Sequence, residues 1–431
     1  MKIGIDLSIL QGYHRFRGIG SVVINFINHL TDDAKNKNSF VFFVEKNNES
    51  MAFELLNLKG IKYEIRYLHM RHYHMLPGEF SIISKVLYKI LAYIEYHIGD
   101  PRISRKNLAD IDRYIHFDQC KKLPVNSKRN TILVMYDLIP FVLESDYLWS
   151  YSTAKQNGLG LFKSVKCAFL RYQYKLRIKI NLSRAKSIIS ISEHTKDDCI
   201  KYFGVNKNKV DVVLLGADYN DKKASPKSQK LYAAYKRKTV WGPIKHQIDL
   251  TKKPFILFVG GVDKRRQITE LLAAFNNLKA RGVDISLVLS GESFEYMENI
   301  PDKNIKNYIH KNPSYRKDIY YMGFTTNSEL NWLYKNALAF VFPSIYEGFG
   351  LPVLEAMRYG CPTITYNNSS LVEVGGKDVI YVDDFLGITN AVQELINNPT
   401  KAKTLSKNGI IRSSKFTWDK TVNSIFSVLN S

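Results

Sequence analysis

Two glutamates, Glu347 and Glu355, bracket the run Gly348-Phe349-Gly350-Leu351. A carboxylate accepts two hydroxyls at once, which suits the vicinal diols of a sugar or a ribose. The glycines between them let backbone N–H groups approach a ligand closely. A helix of apolar period opening at Leu351 would add its unpaired N–H groups and positive dipole end. Pro352 falls in the first turn, where its missing donor costs nothing. Phosphate-binding N–H groups set between two diol-binding carboxylates form the arrangement a nucleotide-sugar requires. On these residues alone, a strand–turn–helix with two solvated glutamates stays open as the bland reading.

A second group lies upstream. Residues 257–275 read LFVGGVDKRRQITELLAAF, an apolar strand ending at Gly260-Gly261, then Arg265 and Arg266 ahead of a helix. Guanidinium forks match phosphate oxygens, and their charge stabilises a departing diphosphate. Basic residues on a solvated helix start give the same local pattern. Near the N-terminus, Arg17-Gly18-Ile19-Gly20 opens a helix with Val22, Val23, Phe26, Ile27 and Leu30 at apolar spacing. Asp137 ends a strand in Val134–Pro140 and is a candidate for organising an acceptor or sugar, or equally a turn or helix cap. Ser192 caps a helix that follows Ser190-Ile191. His69, His72 and His74 have no carboxylate or Cys at ligand spacing, and Asp197-Asp198 and Asp383-Asp384 lack the context of a metal motif.

The elements that must position these residues alternate short apolar runs with segments of helical period, the pattern of parallel sheets covered by helices. Strands are expected at Lys2–Ile9, Phe40–Val44, Tyr63–Tyr67, Ile111–Phe117, Thr131–Tyr136, Ser187–Ser192 and Val210–Leu215. A second set follows at Phe255–Val259, Ile285–Ser290, Ile319–Met322, Ala339–Phe342, Thr363–Tyr366 and Val379–Val382. Helices are expected between them, among others over Glu270–Arg281 and Leu351–Tyr359. The expected organisation is an N-terminal Rossmann-like domain over 1–218, a junction over 219–253 without strand pattern, and a second Rossmann-like domain over 254–413. A C-terminal helix over 414–431 would pack back on the first domain. A length of 431 residues suits two cores better than one.

Taken together, the motifs resemble glycosyltransferase family 4. Glu347-GFGLPVL-Glu355 after Phe342-Pro343-Ser344 looks like the E-x7-E signature of that family. The likeness continues through Gly360-Cys361-Pro362, through Asn367-Asn368-Ser369-Ser370-Leu371 with Glu373 and Gly375, and upstream through Glu329-Leu330, Leu333-Tyr334 and Ala337. The turn at Gly260-Gly261 resembles the family's GG-x-D-x-R-K-N, with Arg266 standing where the family has Lys and Gln267 where it has Asn. Tyr136-Asp137-Leu138-Ile139-Pro140 looks like the H-D-L-x-P segment in the variant common among mannosyltransferase-like members. Tyr136 replaces the usual His, so no catalytic histidine is carried over. The resemblance implies an α/β chain of GT-B architecture, with two Rossmann-like doubly wound domains facing a central cleft. It implies retaining, metal-independent transfer from a nucleotide-sugar, with Glu347, Arg265, Arg266 and Asp137 at the chemistry. Gly18, Gly20, Gly261, Gly348, Phe349, Gly350, Leu351 and Glu355 would bind the donor. The expected donor is GDP-mannose, the acceptor a saccharide or polyprenyl-linked saccharide of bacterial surface polysaccharide, and no cofactor is expected. A UDP-sugar donor is the alternative within the family, and an epimerase or phosphorylase on the same architecture is another.

The formal charge of +22 favours polyanionic neighbours without choosing among them. A basic, non-catalytic module binding nucleic acid would explain the charge but leave the two glutamates without purpose, and no nucleic-acid motif supports it. Leu161–Arg184 sets Phe162, Val165, Phe169, Tyr172, Leu176 and Ile180 among lysines and arginines, a helix suited to an anionic membrane surface or to a solvated basic face; Ser81–Tyr96 is a weaker case. Cys120, Cys167, Cys199 and Cys361 are scattered as free thiols would be, and no run reaches the roughly 18 to 20 apolar residues of a spanning helix. The expected location is the cytoplasm, with possible peripheral attachment to the inner face of the membrane.

Overall fold

The computed structural model describes the chain except residues 13, 14, 16, 17, 69–101, 104, 125–129, 219–230, 240, 241, 295–304 and 306–315; at 105, 231–239, 242–247 and 316 it describes the backbone alone. Arg17, His69, His72, His74 and Ser81–Tyr96 therefore lie outside the described residues. Two compact units make up the chain. Unit 1 is Met1–Gly216 with Trp418–Ser431, and unit 2 is Ala217–Thr417.

Unit 1 is built on seven parallel strands: β1 (Lys2–Asp6), β2 (Ser39–Val44), β3 (Tyr63–Tyr67), β4 (Arg113–His116), β5 (Thr131–Met135), β6 (Ser187–Ser190) and β7 (Val210–Val212). Their order is β3-β2-β1-β4-β5-β6-β7. β1 lies between β2 and β4, so the winding reverses at the β1/β4 boundary, and ligands of open α/β sheets bind beyond the strand ends at such a reversal. The central strands are buried on both faces, which is why they read as continuous apolar runs, Phe-Val-Phe-Phe-Val in β2 and Ile-Leu-Val-Met in β5. β1 stops short of Ile9. The Asp6 carboxylate accepts the Ser8 N–H at 2.8 Å, and this local turn diverts the chain into a 3₁₀ turn over Ser8–Gln11. Helix α1 (Gly18–Asn28) buries Val22, Val23, Phe26 and Ile27, and helix α2 (Leu161–Arg184) buries Ile178 and Leu182 near its C-terminal end. Ser192 caps the helix Glu193–Phe203 by accepting the Thr195 N–H at 3.0 Å.

Unit 2 opens with a correction. The segment 219–253 shows no strand pattern in sequence, yet the backbones of β8 (Leu231–Thr239) and β9 (Gly242–Ile248) pair as an antiparallel hairpin. Pro243 argues against a strand inside a sheet, but in a two-stranded ribbon both strands are edges, where proline is tolerated. Six parallel strands follow: β10 (Phe255–Val259), β11 (Ser286–Ser290), β12 (Ile319–Gly323), β13 (Ala339–Phe342), β14 (Thr363–Tyr366) and β15 (Ile380–Val382). Their order, β12-β11-β10-β13-β14-β15, places this unit's reversal between β10 and β13. Three helices bear on the site: α3 (Ile268–Ala280), α4 (Asn327–Asn336), held at its start by a Thr326/Glu329 capping box, and α5 (Leu351–Arg358).

The last helix, α6 (Trp418–Asn430), belongs to unit 1. Trp418, Val422, Ile425 and Leu429 are buried there, Phe26 stacks on Phe426, and the Thr421 hydroxyl donates to the Leu214 carbonyl at 2.8 Å. Among the described residues no helix is long and apolar enough to cross a membrane.

Candidate functional site

The loops after β10 and β13 meet at the reversal of unit 2. The Ile345 N–H donates to the Arg265 carbonyl at 2.8 Å, tying one loop to the other. Asp263 caps the 3₁₀ turn Lys264–Arg266 through the Arg265 N–H, and Gln267 takes a left-handed φ of 46° to start α3. That turn aims Arg265 inward. Its Nη1 donates to the Glu347 carboxylate, to the Tyr346 carbonyl at 3.1 Å and to Ser344 Oγ at 3.4 Å. Arg265 and Glu347 are each only 9% exposed. Arg266 lies beside them, its Nε 3.7 Å from the same Glu347 oxygen, its Nη1 donating to the Gly261 carbonyl at 3.2 Å and its guanidinium over the Phe342 ring. Two guanidinium groups and one carboxylate thus share one point beside the glycine turn.

Glu347 is braced from a third loop. Its N–H donates to Ser369 Oγ at 3.0 Å, and the Ser370 hydroxyl donates to its carbonyl at 2.7 Å. Ser344 donates to its carboxylate at 3.0 Å, while Asn368 Nδ2 donates to the Ser344 carbonyl at 3.0 Å. Ser369 holds a φ of 46°, unusual for a residue with a Cβ, so the brace is built at some backbone cost. Sequence reading assigned no role to Ser344, Asn368, Ser369 or Ser370. Their positions within the resembling segment were the one signal available.

Glycine is required at two points here. Gly350 has φ +107° and caps α5, and a Cβ there would stand 2.9 Å from Leu371 Cδ2. Gly260 has φ +147°, and its Cβ would collide with the Arg266 guanidinium. Gly348, Phe349 and Gly350 are buried and Leu351 half-buried, leading directly into α5, in whose first turn Pro352 carries no N–H and the Val353 and Leu354 N–H groups donate to the Gly350 carbonyl at 3.0 and 3.2 Å. Glu355, one turn into α5, accepts from the Tyr334 hydroxyl of α4 at 3.3 Å. The two glutamates of the motif therefore sit in different environments, one among arginines and one beside a tyrosine.

The unit 1 candidates are placed separately. Gly18 opens α1 exposed, with nothing within 4 Å of a Cβ built there, and Gly20 is buried in the first turn. Asp137 Oδ1 accepts the Ile139 N–H at 3.1 Å, and its carbonyl accepts from Gln119 Nε2 at 2.9 Å. Those contacts are the turn role that its sequence position allowed. Tyr136 is buried, and burial raises its hydroxyl pKa well above the ordinary tyrosine value, with Asp118 adding to the effect.

Residues 243–412 match the family model for glycosyl transferases group 1. The chain is similar to O-antigen chain mannosyltransferase B of Escherichia coli, 26% identical over 253 residues, which cover 58% of this chain and 61% of that protein. It is also similar to the serotype-specific mannosyltransferase WbdA of Escherichia coli, 25% identical over 299 residues, covering 68% of this chain and 32% of that one. The chain thus spans less than two thirds of the length of both relatives. Among solved structures it superposes on WaaG, a glycosyltransferase involved in lipopolysaccharide biosynthesis, with a TM-score of 0.60 and 12% identity over the whole of both chains. At that identity the likeness shows the fold, two Rossmann-like units of the GT-B kind. The matched residues 243–412 fall within unit 2, Ala217–Thr417.

Proposed function

We propose that the chain is a retaining, metal-independent glycosyltransferase of family 4 with E-x7-E chemistry. It moves a hexose from a nucleotide diphosphate to a saccharide or lipid-linked saccharide of bacterial surface polysaccharide. One observation carries the proposal: Arg265, Arg266 and Glu347 converge beside a glycine turn and a helix N-terminus at the reversal point of unit 2. The arginines hold the diphosphate, and with the positive dipole end of α5 they take up its charge as the glycosidic bond breaks, the work a metal ion would otherwise do. Glu347 grips hydroxyls of the transferred sugar and Glu355 the ribose. Unit 1 supplies the acceptor side, with Asp137 and the Gly18–Gly20 turn. Mannose from GDP-mannose is the favoured donor, supported by the Tyr136–Pro140 segment and by the names of the Escherichia coli relatives. The exposed face of α2 holds the enzyme against an anionic membrane surface, where a lipid-linked acceptor would be met.

The test is nucleotide release from a panel of GDP-, UDP- and ADP-sugars with simple glycoside and polyprenyl-linked acceptors. Glu347→Ala would leave Arg265 buried without its carboxylate, at a cost of about 3–5 kcal/mol. Glu347→Gln keeps an acceptor oxygen for Arg265 and is the cleaner variant. It is expected to lower release roughly 10²- to 10³-fold while nucleotide still binds. Wild-type-like release in Glu347→Gln would sink the site assignment, and release from UDP-glucose alone would replace the mannose reading.

A further inference from the structure

Arg265 and Glu347 are paired in the structure, yet the proposed transfer asks each to hold a different part of the donor. Arg265 Nη1 carries two protons, and three oxygens surround it: the Glu347 carboxylate, the Tyr346 carbonyl at 3.1 Å and Ser344 Oγ at 3.4 Å. Arg266 Nε lies 3.7 Å from the same carboxylate oxygen. A diphosphate carries more negative charge than one carboxylate, so on entering it draws both guanidinium groups towards itself. Glu347 must then stay aimed at the sugar without them.

The other contacts of Glu347 close into a hydrogen-bonded ring that has one sense. The Ser344 carbonyl can only accept, so Asn368 Nδ2 faces it at 3.0 Å and Asn368 Oδ1 turns to Ser369 Oγ at 2.9 Å. Ser369 gives its single proton there, which leaves its lone pairs to accept the Glu347 N–H at 3.0 Å. The ring returns through the Glu347 carboxylate, which accepts the Ser344 hydroxyl at 3.0 Å. Ser344 therefore acts at both ends. Its carbonyl anchors the segment 368–370, and its hydroxyl holds the charged tip of Glu347.

Ser344 is fully buried, two residues beyond β13. Among the described residues it is the one neutral donor to the Glu347 carboxylate, the others being the two arginines. A neutral hydroxyl is not drawn off by a diphosphate as a cation is. Its alternative acceptor is the Tyr346 carbonyl at 3.2 Å, but a bond to an ionised carboxylate is the stronger of the two. We infer that Ser344 is the positioning residue of this site: donor binding exchanges Arg265 from Glu347 to the diphosphate, and the Ser344 hydroxyl keeps the carboxylate turned to the sugar through the exchange. This rests on the proposed transferase reading and adds to it a residue and a change of partner.

The test uses the full chain, the donor that gives release in the panel above, and GDP and UDP as nucleotide probes, with thermal unfolding followed in parallel. Ser344→Ala is expected to lower kcat for nucleotide release about 10- to 100-fold, while donor KM and nucleotide affinity stay within about twofold. Ser344→Thr restores the hydroxyl and is expected to return kcat to within about threefold of wild type. Asn368→Ala opens the same ring at a half-buried position, and a fall in kcat of about threefold to tenfold at constant KM is expected. The exchange has its own readout, since Glu347→Gln releases Arg265 from its carboxylate and should raise GDP or UDP affinity about threefold or more. Unchanged kcat in both Ser344→Ala and Asn368→Ala would overturn the inference, as would a folded Ser344→Thr protein as slow as Ser344→Ala. A loss of nucleotide affinity matching the loss of kcat, or weaker nucleotide binding in Glu347→Gln, would overturn it as well. If Glu347→Gln slows release while Ser344→Ala does not, this inference falls and the transferase reading stands. Absence of release from every donor in the wild type removes both.

Discussion

At the scale of single residues, the site depends on backbone positions as much as on charges. Gly350 holds φ +107° with Leu371 close behind it, and Gly18 starts a helix with open space around it. These two glycines stood side by side as donor-binding candidates in the sequence, and the structure separates their physical requirements. Gly350→Ala is expected to cost about 1–3 kcal/mol in chemical denaturation and to weaken nucleotide binding. Gly18→Ala should be neutral or slightly stabilising, since alanine is the better helix former. Equal stability of the two variants would mean that the α5 turn relaxes freely. Arg265 and Glu347 were singled out as candidates because each stood in a recognisable motif, and the structure brings the two side chains together. Their pairing was not legible, because it joins residues 82 apart and no local pattern encodes a long-range ion pair. Ser369 and Ser370 were hidden for the same reason: serine in a loop is too common a residue for its brace on Glu347 to stand out.

At the scale of elements, buried parallel strands were the most legible feature, because a strand covered on both faces is a short apolar run with nothing to mask it. β10, β13 and β14 fall where the apolar runs fall, and β1 is shorter by the residues that the Asp6 turn diverts. The β8–β9 hairpin escaped notice because lysines and Pro243 break its alternation, and an edge ribbon needs little apolar signal. Helix α2 carries the element-scale prediction. Phe162 is 88% exposed, and Val165, Phe169 and Tyr172 continue its stripe at helical spacing, with exposed Lys163 and Lys166 alongside. Such a face gains by entering an anionic lipid surface, at about 1.5–3 kcal/mol per fully buried phenylalanine. In vesicle sedimentation, wild-type protein is expected to bind phosphatidylglycerol-containing vesicles better than phosphatidylcholine alone. Phe162→Asp with Phe169→Asp should lower that binding roughly tenfold or more without loss of thermal stability. Equal binding to both vesicle types would remove the membrane role and leave α2 a solvated helix.

At the scale of the whole molecule, the chain path makes the two units unequal in what they require. Unit 2 is one continuous segment, Ala217–Thr417, whereas unit 1 is completed by Trp418–Ser431 from the far end of the sequence. Helix α6 fills a place in the core of unit 1. Trp418 stacks near His29, Phe426 packs on Phe26, and Arg113 Nε donates to the Leu429 carbonyl at 2.8 Å. With about 1.5–3 kcal/mol for each fully buried large side chain, losing Trp418, Val422, Ile425 and Leu429 removes on the order of 6–12 kcal/mol, an upper estimate. A domain's net stability is typically about 5–15 kcal/mol, so a loss of that size is comparable to the whole stability of unit 1. A chain ending at Thr417 is therefore expected to show amide exchange rising across β1, β4, β5 and β6, while β10, β13 and α5 keep their protection. Its nucleotide binding should survive, and its glycoside binding should not. Uniform loss of protection across both units would show that they fold as a single cooperative body. Intact protection in unit 1 would show that α6 contributes far less than its buried surface implies.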